Sequence, residues 1–204
     1  TYCSSPNMWL PQWIARDPKL LADEIEFYVK EYGAKNFPFQ DLTAIIKRDW
    51  IVEFCHELKK RNLKIHWQLP SGTRSEAIND EVASLLKETG MFNMAYAPES
   101  GSLETRKMIK KRMTNENLEK SIKAAVKNNL NIACFFIVGL PHDKKESIKE
   151  NIPFLKKIAK LGVQEVAIGY YMALPGTELF KLLYSKGQIK FDRKYFRHIL
   201  DSQA

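Results

Sequence analysis

The chain has 204 residues, which is the size of one domain or of a large part of one. Its hydrophobic fraction of 45% excludes an intrinsically disordered chain. The formal net charge of +8 favours a solvated basic surface over a nucleic-acid or phosphate-rich partner.

Apolar runs and cysteines indicate the compartment. The longest apolar stretch, 132–140, is far shorter than the ~20 residues that span a bilayer, and the first residues lack a signal-peptide pattern. We therefore expect no membrane association and no secretion. The three cysteines are far apart and odd in number, which argues against a disulfide framework. These features together predict a cytoplasmic protein.

Helical and extended patterns alternate from the first residues onward. Asp17 is a candidate N-cap, Pro18 suits the first helical position, and Gly33 suits the end of that helix. In the first half of the chain, apolar spacing predicts helix 17–33, strand 36–40, helix 49–62 and strand 64–69.

The same alternation continues in the second half of the chain. Candidate N-caps at Asn79 and Thr114 and a kink at Pro153 mark the helices there. The predicted elements are helix 79–90, strand 92–97, helix 114–129, strand 132–138, helix 145–161, strand 165–172, helix 178–185 and a closing helix within 188–204.

Five alternating strand and helix units are typical of an α/β fold with a parallel sheet. Five units are too few for a closed eight-fold barrel, so periodicity alone leaves an open doubly wound sheet and a partial barrel as alternatives. In both architectures ligands lie at the carboxyl ends of the strands. We therefore expect the binding site in the loops that follow the predicted strands.

Those loops carry two acids, a cation and flexible glycines. Asp41 and Glu99 are the acids, Arg74 is the cation, and Gly101 and Gly139 are the glycines. Carboxylates accept hydrogen bonds from hydroxyls or an ammonium, and an arginine can clamp a carboxylate, so the set suits a zwitterionic ligand with hydroxyls. Simpler interpretations are open as well: Glu99 could merely pair with a neighbouring lysine, Arg74 could be a surface cation, and the segment 139–141 could be only a turn.

Other kinds of site are excluded or weakened by the sequence. Motifs for zinc proteases, dinucleotide binding, serine hydrolases and P-loop nucleotide binding are missing, and the histidines are isolated. Cys55 lies on the apolar face of a helix and Cys134 lies inside a strand, so both are expected in the core. Cys3 alone has no periodic context.

Four short motifs give the chain a resemblance to a known family. They are F-x-F-Q-D at 37–41, A-P-E-S-G-S at 97–102, F-F-I-V-G-L-P at 135–141 and L-P-G-T-E-L at 174–179. In this order and spacing they resemble the radical S-adenosylmethionine (SAM) superfamily, in the cobalamin-associated branch that includes anaerobic magnesium-protoporphyrin cyclases. The opening T-Y-C-S-S-P-N-M-W resembles the end of that family's CxxxCxxC signature, with Cys3 as the third cysteine and Trp9 following it.

The resemblance implies a partial parallel (β/α) barrel whose first strand and first two cysteines precede Thr1. It implies a radical SAM core at 1–187, truncated at its N-terminus, and a helical extension at 188–204. The family holds a [4Fe–4S] cluster through three thiolates and cleaves SAM to a 5′-deoxyadenosyl radical. With Cys3 alone as metal ligand, we expect the chain by itself to be inactive.

The resemblance also implies which residues contact SAM. By position, Gln40 and Asp41 match contacts to its amino group, and Glu99 and Ser100 match contacts to its ribose and methionine parts. Ile137 to Gly139 match the strand that packs on adenine, and Arg74 is a candidate clamp for the carboxylate.

Three questions about function stay open at this point. The expected partner is a small-molecule substrate, with an upstream cobalamin-binding domain as a further candidate and RNA as a less favoured one. Methyl transfer and ring modification are both compatible with the family. The alternatives are an RNA-modifying radical SAM enzyme and a conventional α/β-barrel enzyme that binds a phosphorylated small molecule.

Overall fold

A computed structural model of the chain describes residues 2–8, 12–41 and 43–201. Trp9, part of the opening motif, lies outside the described residues, as does the end of the predicted closing helix. Within the described ranges, five parallel strands form one sheet in the order of the sequence. The strands are β1 (Asn36–Pro38), β2 (His66–Leu69), β3 (Met91–Glu99), β4 (Asn131–Val138) and β5 (Glu165–Tyr170).

The sheet curls into half of a barrel, which confirms the predicted partial (β/α) barrel over a flat, doubly wound sheet. Sequential strand order is what repeated right-handed βαβ units produce. Because all five strands are parallel, their carboxyl ends lie at one edge of the sheet, which we call the mouth of the half-barrel. All five strands lie where the sequence predicts them.

Helices connect the strands and cover the outer face of β2, β3 and β4, whereas every residue of β5 is exposed. The helices are α1 (Ser5–Met8), α2 (Pro18–Tyr32), α3 (Arg48–Lys60), α4 (Asp80–Glu88), α5 (Leu103–Met108), α6 (Asn115–Lys127), α7 (Lys145–Lys149), α8 (Asn151–Lys160), α9 (Glu178–Ser185) and α10 (Arg193–Asp201). The predicted N-caps are confirmed, since the side chain of Asp17 accepts from Leu20 N and that of Asn79 from Val82 N. Thr114 caps α6 in the same way through Asn117 N.

The predicted helix at 145–161 is two helices. Glu150 separates α7 from α8, and Pro153 lies in the first turn of α8. Proline is tolerated there because the first turn of a helix has no partner for its backbone N–H groups. The prediction of an irregularity was correct, but the break lies three residues before Pro153. The short helices α1 and α5 have no counterpart among the predicted elements.

The core lies between the outer face of the sheet and the helices. Trp67 of β2 is fully buried, packs edge-on against Phe54 of α3, and donates from its indole to Thr89 O at 3.1 Å. On β4, Phe136 packs on Phe154 of α8. Cys55 and Cys134 are buried among these residues, as the sequence predicts. In the described ranges no helix is both long and apolar enough to cross a bilayer.

Candidate functional site at the mouth of the half-barrel

Glu99 ends β3 in a backbone conformation that side chains rarely adopt. Its φ angle is 66°, in the left-handed region, and the pairing of β3 with β4 is irregular between Tyr96 and Glu99. For a residue other than glycine this conformation costs roughly 1–2 kcal/mol, and such strain is concentrated at functional sites. The strained backbone makes Glu99 the first candidate for a functional residue.

The Glu99 carboxylate is buried and held by two donors on the same oxygen. It is 6% exposed, and Oε1 accepts from the Tyr2 hydroxyl at 2.7 Å and from Lys111 Nζ at 3.2 Å. Within the described ranges, Oε2 has no hydrogen-bond partner. A carboxylate has about four acceptor positions. The arrangement therefore fixes the orientation of the acid and leaves one oxygen for a ligand.

Tyr2 stays protonated as a partner of Glu99. Burial raises the pKa of its phenol far above the ordinary value, and the negative charge of Glu99 and the hydrogen bond to it raise it further. The hydroxyl is therefore a donor at every physiological pH. Because Tyr2 precedes Cys3, this bond ties the cysteine segment to the end of β3.

The loop after Glu99 packs against the junction of α7 and α8. Asn151 Oδ1 accepts from Gly101 N at 2.6 Å and from the Ser100 hydroxyl at 3.4 Å, while Ser100 Oγ accepts from Ser102 N at 3.1 Å. Ser100 is 3% exposed, so its hydroxyl is engaged inside the protein. The loop thus anchors Glu99, and a direct contact from Ser100 to SAM stays a prediction.

The loop after β4 is closed by an acid. Asp143 Oδ2 accepts from Gly139 N and from Leu140 N, both at 2.9 Å. Gly139 is exposed, with a φ of 82°, and Ile137 is half-buried one strand away from Glu99. The strand end expected to face adenine therefore lies beside Glu99, on a loop that Asp143 holds in place.

Two segments cross the mouth from the end of β3 to the loop after β5. The first is the segment of Tyr2, in which Asn7 Nδ2 donates to Gly176 O at 2.8 Å. The second segment contains Lys111, the partner of Glu99, and Lys110. The ammonium nitrogen of Lys110 lies 3.0 Å from Glu178 Oε1 at the start of α9. Both segments therefore connect the end of β3 with the loop after β5.

The remaining predicted contacts lie on the other side of the mouth. Gln40, Asp41 and Arg74 are exposed and follow β1 and β2. In the described part of the chain their side chains make no hydrogen bond or ion pair with Glu99. Asp41 lines a cavity of about 150 Å³ with Trp13 and Trp50. A larger cavity, about 460 Å³, lies at the amino ends of the strands, away from the mouth.

The three cysteines lie in two environments. Cys3 is exposed and its thiol contacts the Ser5 hydroxyl. Cys55 and Cys134 are 1% and 0% exposed, and burial raises the pKa of each thiol to about 12. A buried, protonated thiol is a poor nucleophile and a poor metal ligand. Cys3 is thus the cysteine suited to bind metal.

We expect iodoacetamide at pH 8 to modify the native chain once, at Cys3. The thiolate is the reactive form, and Cys55 and Cys134 are protected by burial and by their raised pKa values. Mass spectrometry of the native protein should show one adduct, and protein unfolded in urea should show three. Modification of Cys134 at the rate of Cys3 in the folded chain would contradict this assignment.

Sequence reasoning missed two of the residues that build the site. Lys111 pairs with Glu99 from 12 residues away, and Asn151 holds the loop from another helix. The basic run at 110–112 was visible in the sequence, but its partner was not. The simpler interpretation of Glu99, a pair with a neighbouring lysine, is confirmed by its ion pair with Lys111.

Comparison with known proteins identifies relatives of the chain. A family model described as the radical SAM superfamily matches residues 1–155. An anaerobic magnesium-protoporphyrin IX monomethyl ester cyclase from Rubrivivax gelatinosus is 28% identical over 196 residues, covering 96% of this chain and 34% of that protein. The chain thus spans about a third of the length of this relative.

Solved structures share the fold. The cobalamin-dependent SAM radical enzyme OxsB matches with a TM-score of 0.68 at 16% identity, over 89% of this chain and 33% of that one. The radical SAM methyltransferase TsrM from Kitasatospora setae, with cobalamin and a [4Fe–4S] cluster bound, matches with a TM-score of 0.69 at 12% identity, over 84% and 32%.

Proposed function

Because the chain belongs to the radical SAM superfamily, we propose that it forms the SAM-binding half-barrel of an enzyme that cleaves SAM reductively. In this superfamily the [4Fe–4S] cluster supplies the electron that splits SAM into methionine and a 5′-deoxyadenosyl radical. Family membership favours this function over a conventional α/β-barrel enzyme for phosphorylated ligands. The names of the relatives support methyl transfer or ring modification as the reaction class.

Glu99 is the observation that carries the proposal. A strained, buried acid with one oxygen unpaired suits the ribose hydroxyls or the ammonium of SAM. Lys111, beside it, supplies a cation for the methionine carboxylate, and it suits this role better than Arg74, which within the described ranges makes no ion pair with Glu99. Ile137 provides an apolar wall next to these charges for the adenine. The donors and acceptors of the site therefore fit SAM.

The cluster is a different case. Four irons need several thiolates, and Cys3 is the chain's one accessible cysteine. In the described ranges no group of three His, Cys, Asp or Glu side chains could hold a metal. The described residues thus offer one ligand and do not fit the whole cluster, so we assign Cys3 as one ligand and expect no SAM cleavage by the chain alone.

The proposal extends to partners and compartment. A small-molecule substrate would enter at the mouth. The names of the structural neighbours mention cobalamin, which here would be bound by a domain outside this chain. Three free cysteines suit a reducing cytoplasm.

Replacing Glu99 tests the proposal. In a full-length protein that carries this chain, with its cluster reconstituted, Glu99→Ala should weaken SAM binding about ten- to a hundredfold, since charge-assisted hydrogen bonds contribute roughly 1.5–3 kcal/mol. Isothermal titration calorimetry measures the affinity. Glu104→Ala, which removes an exposed acid from α5, is the matched control and should change the affinity less than twofold. Unchanged binding by Glu99→Ala would refute the proposed role.

A further inference from the structure

The segment 103–112, which joins β3 to α6 through α5, is strongly basic. It carries five cations and one acid, Glu104. Lys110 pairs with Glu178 at the start of α9, and Lys111 pairs with Glu99 at the end of β3. The segment thus places positive charge at the entrance to the proposed SAM site.

Three of these cations have no acidic partner within the described ranges. Lys107 and Arg112 are exposed and make no ion pair there. Arg106 is 2% exposed, and among the described residues only its Nη2 finds a hydrogen-bond partner, the side-chain oxygen of Asn115. Its guanidinium lies 5.3 Å from the centre of the Phe154 ring, and burial lowers its pKa.

A buried cation without a carboxylate is costly, and neighbouring cations add to the cost. Cations in the last turn of α5 interact favourably with the helix dipole. That effect ends within the turn, so it does not explain the positive charges at 110–112. Clustered charges of one sign at the entrance of a cleft raise the local concentration of oppositely charged ligands. The uncompensated charge therefore indicates an anionic ligand.

We infer that the substrate is a small molecule with phosphate or carboxylate groups, bound by Lys107 and Arg112; we call these two residues the basic rim. The inference rests on the proposed function, since it concerns what reacts beside SAM. Lys111 is left for Glu99 and SAM. RNA is disfavoured because 103–113 has no aromatic side chain on which bases could stack.

The test measures anion binding by the chain itself, without cluster or SAM. Inorganic pyrophosphate and citrate are titrated at low salt into wild type, into Lys107→Ala/Arg112→Ala, and into the control Lys35→Ala/Lys160→Ala. The control removes two exposed cations from the amino-end side of the sheet, neither of which has an ion-pair partner in the described part of the chain. Losing two exposed charge contacts of about 0.5–1 kcal/mol each should weaken binding roughly five- to thirtyfold.

Weaker binding in the rim variant alone supports the inference, and the better of the two probes identifies the anionic group. Failure of wild type to bind either anion, or equal losses in rim and control variants, would overturn it. A single-stranded RNA 20-mer is titrated in parallel. If it binds more tightly than pyrophosphate and loses affinity in both variants, the ligand is a nucleic acid and the inference is wrong. These results do not depend on SAM binding, so they stand apart from the Glu99 test.

Discussion

Gly90→Ala is expected to lower the free energy of unfolding by about 3 kcal/mol or more. Gly90 lies between α4 and β3 with a φ of 91°, and a Cβ there would be 1.8 Å from the Ile65 carbonyl oxygen. That oxygen belongs to the backbone leading into β2 and cannot rotate away. The substitution therefore adds a steric overlap to a backbone conformation that alanine already disfavours.

Urea denaturation monitored by circular dichroism measures the free energy of unfolding of Gly90→Ala. In thermal unfolding, a decrease of about 3 kcal/mol in that free energy should lower Tm by roughly 6–12 °C. Gly169→Ala is the matched control, because a Cβ at Gly169 meets nothing closer than the Phe136 carbonyl oxygen at 4.0 Å. Its stability should stay within about 0.5 kcal/mol of wild type. Equal stability of the two variants would show that the backbones of Gly90 and Ile65 are not in close contact.

The order of elements could be predicted because the signals are local. Asp17, Asn79 and Thr114 each cap the helix that follows through a side-chain bond three residues ahead, a relation that sequence spacing expresses directly. The nearly apolar run at 132–138 corresponds to β4, where the consecutive residues Ile132, Ala133 and Cys134 are all buried, so both faces of the strand are covered there. Choosing the half-barrel over an open sheet needed the family resemblance, because both have the same periodicity.

The contacts of the site could not be predicted, because they join residues from different units. Glu99 has a left-handed backbone without glycine in the sequence to signal it. Its partners Tyr2 and Lys111 come from segments that meet only after the sheet has curled. Arg106 is an exposed cation by every sequence rule, yet the packing of α5 against α8 buries it.

The predicted SAM contacts divide according to how each position was found. Glu99 and Ile137 end neighbouring strands and lie together, because parallel pairing brings adjacent carboxyl ends into register. Gln40 and Asp41 follow β1, two strands from β3, and Arg74 follows β2, which pairs with β3 on the side opposite β4. Their roles as SAM contacts stay predictions, and Lys111 is the cation that the structure places beside Glu99.

Gly101→Ala should lower stability by about 3 kcal/mol and weaken SAM binding at the same time. A Cβ at Gly101 would be 2.7 Å from Phe154 Cβ, 2.8 Å from the Glu150 carbonyl oxygen and 3.0 Å from Asn151 Cα. These atoms belong to the packed junction of α7 and α8, so the loop after β3 must move away. This movement would break the hydrogen bond from Gly101 N to Asn151 Oδ1, 2.6 Å long, that anchors the loop. It would also displace Glu99, which lies two residues before Gly101 in the chain.

Two measurements on each variant, the affinity for SAM and the urea midpoint, distinguish a residue that anchors the loop of Glu99 from one that contacts SAM directly. Glu99→Gln keeps the shape of the side chain and should weaken SAM binding while changing the urea midpoint little. Gly101→Ala should change both, and Gly169→Ala should change neither. If Gly101→Ala lowered stability but bound SAM as wild type does, the loop would not be what positions Glu99. The strain at Glu99 would then have to be maintained by its bonds to Tyr2 and Lys111 alone.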